Sequence, residues 1–175
     1  MREALQANQM LTYRLLWFED DPPSTYPELA LAAVSTHDLP TIAGVCTGSD
    51  FQAQQRLGMK PSQEANQKLI DRLSTAAGYD CSSQVDELIV QAHAAVAAAP
   101  SLLVTATLDD ALAVEERPNM PGTTGVWPNW SLALPKPLEE IRQLPVPRRI
   151  AEAMNSRAVK SRALRANALK SRAAQ

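Results

Sequence analysis

The sequence predicts an α/β fold built on a parallel sheet, and three observations carry that prediction. The run Leu29-Ala30-Leu31-Ala32-Ala33-Val34 is apolar throughout, as in a strand covered on both faces. It ends in Ser35-Thr36-His37-Asp38-Leu39-Pro40-Thr41, a polar turn at the C-terminal end of that strand, where α/β barrels place their chemistry. Strand-like and helix-like segments alternate along the rest of the chain.

Arg2 to Gln9 is rich in helix formers and reads as the last turns of a helix. Tyr13-Arg14-Leu15-Leu16-Trp17-Phe18 reads as a strand, ended by a loop that Pro22 and Pro23 enforce. After the Leu31–Val34 strand and its His-Asp turn, Ile42-Ala43-Gly44 begins a helix with Pro40 near its first turn. Residues 62–98 are helical in period, with Leu69, Ile70 and Leu73, then Val85, Leu88, Ile89, Ala92 and Val96 recurring on one face. Gly78-Tyr79-Asp80-Cys81-Ser82 divides this region into two helices, with Ser82 or Ser83 as N-cap of the second. Leu102–Ala106 is a third strand and Leu108–Leu112 a short helical turn. Residues 117–137, rich in Pro, Gly, Asn and Trp, form an ordered long loop. A helix begins at Pro137–Ile141, and Pro145 and Pro147 interrupt the segment after it. Three strands are few for 175 residues and leave both sheet edges open, so the count suggests a piece of something larger.

An apolar content of 45% with 21% charged residues excludes wholesale disorder. No apolar run approaches the length of a membrane span, and no secretory leader is visible after Met1, so the expectation is a soluble cytoplasmic protein. Cys46 and Cys81 lack metal-ligand spacing and read as reduced thiols of a reducing compartment, with a disulfide as the lesser alternative. Residues 148–175 carry eight Lys and Arg against the single acid Glu152, leaving nine bases against eighteen acids in residues 1–147. This charge boundary divides the chain into a domain over 1–147 and a basic helical tail over 148–175. The tail has no aromatic residue to stack bases, so it reads as a solvated helix rather than a nucleic-acid contact.

The chemistry-bearing candidates are few. Asp38 can accept two vicinal hydroxyls of a sugar, and His37 can donate to another; the bland alternative is that Asp38 caps the helix after it. A Ser35–His37–Asp38 triad is excluded on the ground that His37 and Asp38 project to opposite faces of an extended segment. Pro121-Gly122 forms a rigid turn that orients Asn119, either toward a sugar hydroxyl or in an Asx-turn on its own backbone. Trp127 and Trp130 could stack on sugars, with packing of their loop as the leading reading. His93 reads as a structural histidine of a buried helix, and two histidines this far apart give no metal site. No cofactor is called for.

Four segments in order carry a resemblance. They are Tyr13-Arg14-Leu15-Leu16-Trp17-Phe18-Glu19, Ser35 to Gly44, Glu116-Arg117-Pro118-Asn119-Met120-Pro121-Gly122-Thr123-Thr124, and Pro128-Asn129-Trp130-Ser131-Leu132-Ala133-Leu134-Pro135. Together they resemble the 4-alpha-glucanotransferase (amylomaltase, disproportionating enzyme) family over about residues 1 to 145. The resemblance implies an incomplete (β/α)8 barrel whose three strands correspond to the sixth, seventh and eighth. It implies a retaining transfer of an α-1,4-glucan segment to a glucose or glucan acceptor. It makes Asp38 the transition-state stabiliser, His37 a hydroxyl ligand in the same subsite and Asn119 a further substrate contact. Cys46 stands where a tryptophan is frequent in relatives. The family's Arg-x-Asp-His nucleophile motif and Glu-Asp-Leu-Gly acid/base motif do not occur in this sequence. Glu19 alone could not replace both carboxylates. The expected partner is a maltooligosaccharide or α-glucan, and the alternative is a non-catalytic piece that binds glucan or joins a separately encoded N-terminal barrel part.

Overall fold

The computed structural model describes residues 2–8, 10–82 and 84–156. Three strands, β1 (Thr12–Leu15), β2 (Ala30–Ala33) and β3 (Leu103–Val104), form a sheet in the order β1-β2-β3, with both pairs parallel. Chain order and spatial order coincide, as they do for neighbouring strands joined by same-handed crossovers. Helix α1 (Arg2–Ala7) precedes the sheet. Between β2 and β3 run α2 (Ile42–Thr47), α3 (Ser49–Arg56), α4 (Gln63–Ala77) and α5 (Val85–Ala97). After β3 come α6 (Leu108–Ala111), the long loop, α7 (Leu138–Ile141) and a helix over 145–156. Among the described residues no helix is long and apolar enough to cross a membrane.

The two faces of the sheet differ. Ala32 and Val34 turn to the core, where Leu16, Leu88, Ile89, Ala92 and Val96 meet them. Alanine on β2 leaves no side-chain bulk between strand and helix, so α5 lies directly over it. The other face carries the row Tyr13–Leu31–Leu103 in register, with Tyr13 and Leu103 about half exposed. The central strand β2 is itself largely covered on both faces, with Ala33 buried and Leu31 partly so, and the exposure falls on the flanking strands β1 and β3.

Several sequence expectations are corrected locally. The first strand ends at Leu15 because the Phe18 N–H donates to the Leu15 carbonyl and closes a turn there. The expected helix entry at Ile42 holds, with Pro40 near the first turn of α2, one residue ahead of its N-cap Thr41. Ser82 does not cap α5; its N–H donates to Asp80, the N-cap is Gln84, and Ser83 lies outside the described residues. Asp86 and Glu87 in the first turn of α5 offset the helix dipole instead. Pro145 and Pro147 start a helix rather than interrupt one. Both occupy its first turn, where a missing N–H leaves no intrahelical bond unmade. That helix seats Val146 and Ile150 in the core. It also pairs Arg149 with both carboxylate oxygens of Glu87, which holds the Glu87 carboxyl down at about 2. It runs across the charge boundary at residue 147, while 157–175 lie outside the described residues.

Cys46 and Cys81 form a disulfide, against the expectation of free thiols. The α4–α5 hairpin folds back on α2 and sets the turn after α4 against the last turn of α2, an approach that spacing in sequence does not show.

Helix α2 is fixed against the rest by unusually close contact at its start. Thr41 accepts from the Gly44 N–H and donates to the Glu115 carbonyl, while the buried Asp110 carboxylate accepts the Ile42 N–H at 2.8 Å. A Cβ on Gly44 would meet the Glu115 carbonyl oxygen closer than 3.0 Å. Gly44→Ala is therefore expected to destabilise the fold by about 1–3 kcal/mol, as overpacking does. Thermal melts followed by circular dichroism measure this, and an unchanged midpoint contradicts the packing described.

Candidate functional site

The segment after β2 does not stay extended. The Leu39 N–H donates to the Thr36 carbonyl at 3.1 Å, which closes a β-turn with His37 and Asp38 at its corners. Thr36 Oγ1 accepts the Asp38 N–H and tightens the turn. Both side chains consequently leave on one side, and His37 Nε2 stands 3.2 Å from Asp38 Oδ2. The turn thus corrects the expectation that His37 and Asp38 project to opposite faces. A triad still does not form, because the buried Ser35 hydroxyl donates to the Pro40 carbonyl. Nor does Asp38 cap α2, since Thr41 has that role.

The Asp38 carboxylate is half exposed and held from two sides. Asn119 Nδ2 donates to Oδ1 at 2.7 Å, and the Asn119 N–H donates to the His37 carbonyl. Asn119 thus reaches the His-Asp turn instead of closing an Asx-turn. Each carboxylate oxygen has two lone pairs, so each keeps one acceptor position open to solvent. The carboxylate is therefore oriented but not saturated.

Beneath the turn lies an ion pair that sequence reasoning missed. Arg117 donates Nε and Nη2 to the two oxygens of Asp50, at 2.6 and 2.5 Å, and Gln54 adds a third bond to Asp50 at 2.8 Å. Both partners are buried. Arg117 Nη1 also donates to the Asp38 carbonyl at 3.2 Å, so the guanidinium ties the turn to α3. Asp50 and Arg117 stand in no readable spacing; the only signal is that Arg117 belongs to the Glu116–Thr124 segment.

The long loop braces itself above this. Asn129 Oδ1 accepts the Met120 N–H, its Nδ2 donates to Thr123, and Trp127 Nε1 donates to the Arg117 carbonyl. Trp127 packs its loop as expected, whereas Trp130 does not. Trp130 is 65% exposed, its backbone has φ 61°, and its ring lies 4.8 Å from that of His37. For a bulky side chain a left-handed backbone costs on the order of 1–3 kcal/mol.

A cavity of about 250 Å³ opens beside the turn at the C-terminal ends of the strands, with Tyr13, Ser35, His37, Thr105, Thr107 and Asp109 in its walls. Burial pushes the Asp109 carboxyl above its ordinary range. Elsewhere, Glu19 is engaged by Arg14 at 2.9 Å. His93 is fully buried with Nδ1 on the Ile89 carbonyl, in keeping with a structural role. Among the described residues no group of three or more His, Cys, Asp or Glu could hold a metal ion.

The 4-alpha-glucanotransferase model of glycoside hydrolase family 77 matches residues 1–138. The 4-alpha-glucanotransferase of Mycobacterium tuberculosis is 27% identical over 78% of this chain and 22% of its own length. That of Haemophilus influenzae is 26% identical over 79% and 23%. Amylomaltase from Corynebacterium glutamicum superposes with a TM-score of 0.74 at 27% identity, over 87% of this chain and 26% of that one. Amylomaltase from Streptococcus agalactiae, in complex with acarbose, shares the fold at a TM-score of 0.59 and 17% identity, over 90% and 29%. The chain spans under a quarter of the length of these curated relatives. With its parallel sheet and its match over residues 1–138, the chain belongs to the 4-alpha-glucanotransferase family.

Proposed function

We propose that this chain carries the sugar-gripping side of a 4-alpha-glucanotransferase active site, within an incomplete (β/α)8 barrel of about three β/α units. Asp38 accepts hydroxyls of the glucosyl ring beside the scissile α-1,4 bond and tightens on them as the ring flattens toward its oxocarbenium-like transition state. His37 and Asn119 orient Asp38 and contact the same sugar. The observation that carries this reading is the Asp38 carboxylate, half exposed, fixed by Asn119 at 2.7 Å and His37 at 3.2 Å, and left with acceptor capacity on both oxygens. The half-exposed Tyr13 and Leu103 on the open sheet face support the incomplete barrel.

The full reaction transfers an α-1,4-glucan segment to a glucose or glucan acceptor with retention. It needs a nucleophile that captures the glucosyl unit and an acid/base that protonates the leaving oxygen. Neither motif occurs in these residues, so the 175-residue chain alone is inactive and acts in a whole enzyme or beside a separately encoded N-terminal barrel part. The basic stretch 148–175 is a change of charge within this arrangement, with no nucleic-acid role. A cytoplasmic setting completes the proposal; the Cys46–Cys81 bond is the observation that bears against it.

The test is titration of the purified chain with maltotriose, followed by two-dimensional amide NMR. Shifts are expected to centre on His37, Asp38 and Asn119, and Asp38→Asn is expected to weaken binding by about tenfold, the worth of one charge-assisted bond. Absence of any shift contradicts the proposed site. Glucose release from maltotriose by the chain alone contradicts its inactivity.

A further inference from the structure

We propose that Trp130 is a stacking platform for a pyranose ring, lying beside the hydroxyl-binding group of Asp38, His37 and Asn119. The inference rests on the glucan reading of that group and adds a subsite residue to it. The three tryptophans divide by what surrounds them. Trp17 is fully buried with its indole N–H on the Pro40 carbonyl, and Trp127 donates its indole N–H to the Arg117 carbonyl. Trp130 is 65% exposed beside the His37 ring and takes no part in the buried core of the described residues.

Its backbone makes the same point. A φ of 61° favours glycine, and a bulky residue holds it only where the surroundings over-determine it. Here they do. The Trp130 N–H donates to the Pro118 carbonyl at 2.9 Å, and the preceding Asn129 is bonded through its side chain to Met120 and Thr123. The loop therefore fixes the backbone from which the indole projects, and the indole ring lies 4.8 Å from the His37 ring, tilted by 53°. The result is an apolar aromatic surface next to an oriented carboxylate, an amide and an imidazole.

A pyranose matches that division. Its ring faces expose C–H groups and its equatorial rim carries the hydroxyls. A ring lying over the indole removes apolar surface from water while its rim meets Asp38, His37 and Asn119. The Trp130 backbone is fixed before binding and its side chain has only two torsions, which limits the freedom lost when the sugar arrives.

The experiment uses the whole 175-residue chain and maltotriose, with the indole N–H resonances read by NMR alongside the His37 and Asp38 amides. The Trp130 indole signal is expected to move with the same apparent Kd as those amides. Trp130→Ala is expected to weaken binding by about tenfold, and Trp130→Phe, which keeps an aromatic face, to stay within about threefold of the parent. Trp130→Gly separates binding from folding. Glycine accepts the left-handed backbone, so its Tm should equal or exceed the parent's while binding falls as in the alanine variant. Unchanged binding in Trp130→Ala, with Asp38→Asn weakened, overturns the stacking role and leaves the glucan site standing. A large fall in Tm for Trp130→Gly also overturns it, by assigning Trp130 to packing. No response to maltotriose at any of these residues overturns both readings together.

Discussion

Asp50→Ala is expected to cost about 3–5 kcal/mol of folding free energy, because it strands a buried guanidinium. Arg117 and Asp50 are joined by two charge-assisted bonds in a fork geometry, and neither side chain is more than 7% exposed. Removing the acid leaves the Arg117 charge without its partner and without water. For a domain whose whole stability is on the order of 5–15 kcal/mol, that is a large fraction. Arg117→Lys is expected to recover little, since an ammonium cannot donate two parallel bonds to Asp50 while reaching the Asp38 carbonyl. Replacing both partners together by leucine and methionine should restore most of the lost stability, because two desolvation penalties disappear at once. That double variant still lacks the Arg117 bond to the Asp38 carbonyl, so it should fold yet bind maltotriose less well than the parent. Urea denaturation of Asp50→Leu, Arg117→Met and the variant carrying both gives the coupling as a double-mutant cycle. An Asp50→Ala variant within about 1 kcal/mol of the parent rejects the ion pair as an anchor of the site.

The features legible in the sequence are those that local chemistry determines. The apolar run at β2 and the period of α4 and α5 are consequences of burial on one side, so they stand in the residues themselves. The position of the His-Asp turn after β2 is legible in the sequence, and its shape is not. Nothing in its residues says that the Thr36 carbonyl takes the Leu39 N–H, and that one bond decides whether His37 and Asp38 face each other. The two prolines after α7 carry opposite meanings at the start and in the middle of a helix, and composition does not say where the helix begins. Asn119 and Asp38 stand 81 residues apart; only the resemblance joined them, and the structure then supplied the 2.7 Å bond. Trp130 could not be told from Trp127, because exposure is a property of how the loop lies over the turn.

Loss of the Cys46–Cys81 bond is expected to lower stability by about 3–4 kcal/mol, from the entropy that the link removes from the unfolded chain. The two cysteines are 35 residues apart, and the loop they close holds α3 and α4. The Cys46→Ala, Cys81→Ala double variant should therefore unfold at a clearly lower guanidinium concentration than the parent. A reducing agent should bring the parent down to nearly the same midpoint and leave the variant unmoved. Because Cys46 lies in the last turn of α2 and the His-Asp turn precedes its first, the native geometry around Asp38 does not depend on the link. Thr41, Asp110 and Arg117 hold that end by hydrogen bonds of their own. Maltotriose binding should then be the same in oxidised and reduced chains at a temperature where both are folded. Coincident denaturation curves with and without reductant would reject the disulfide as a stabilising link, and a redox-dependent change in binding would mean that α2 transmits strain from one end to the other.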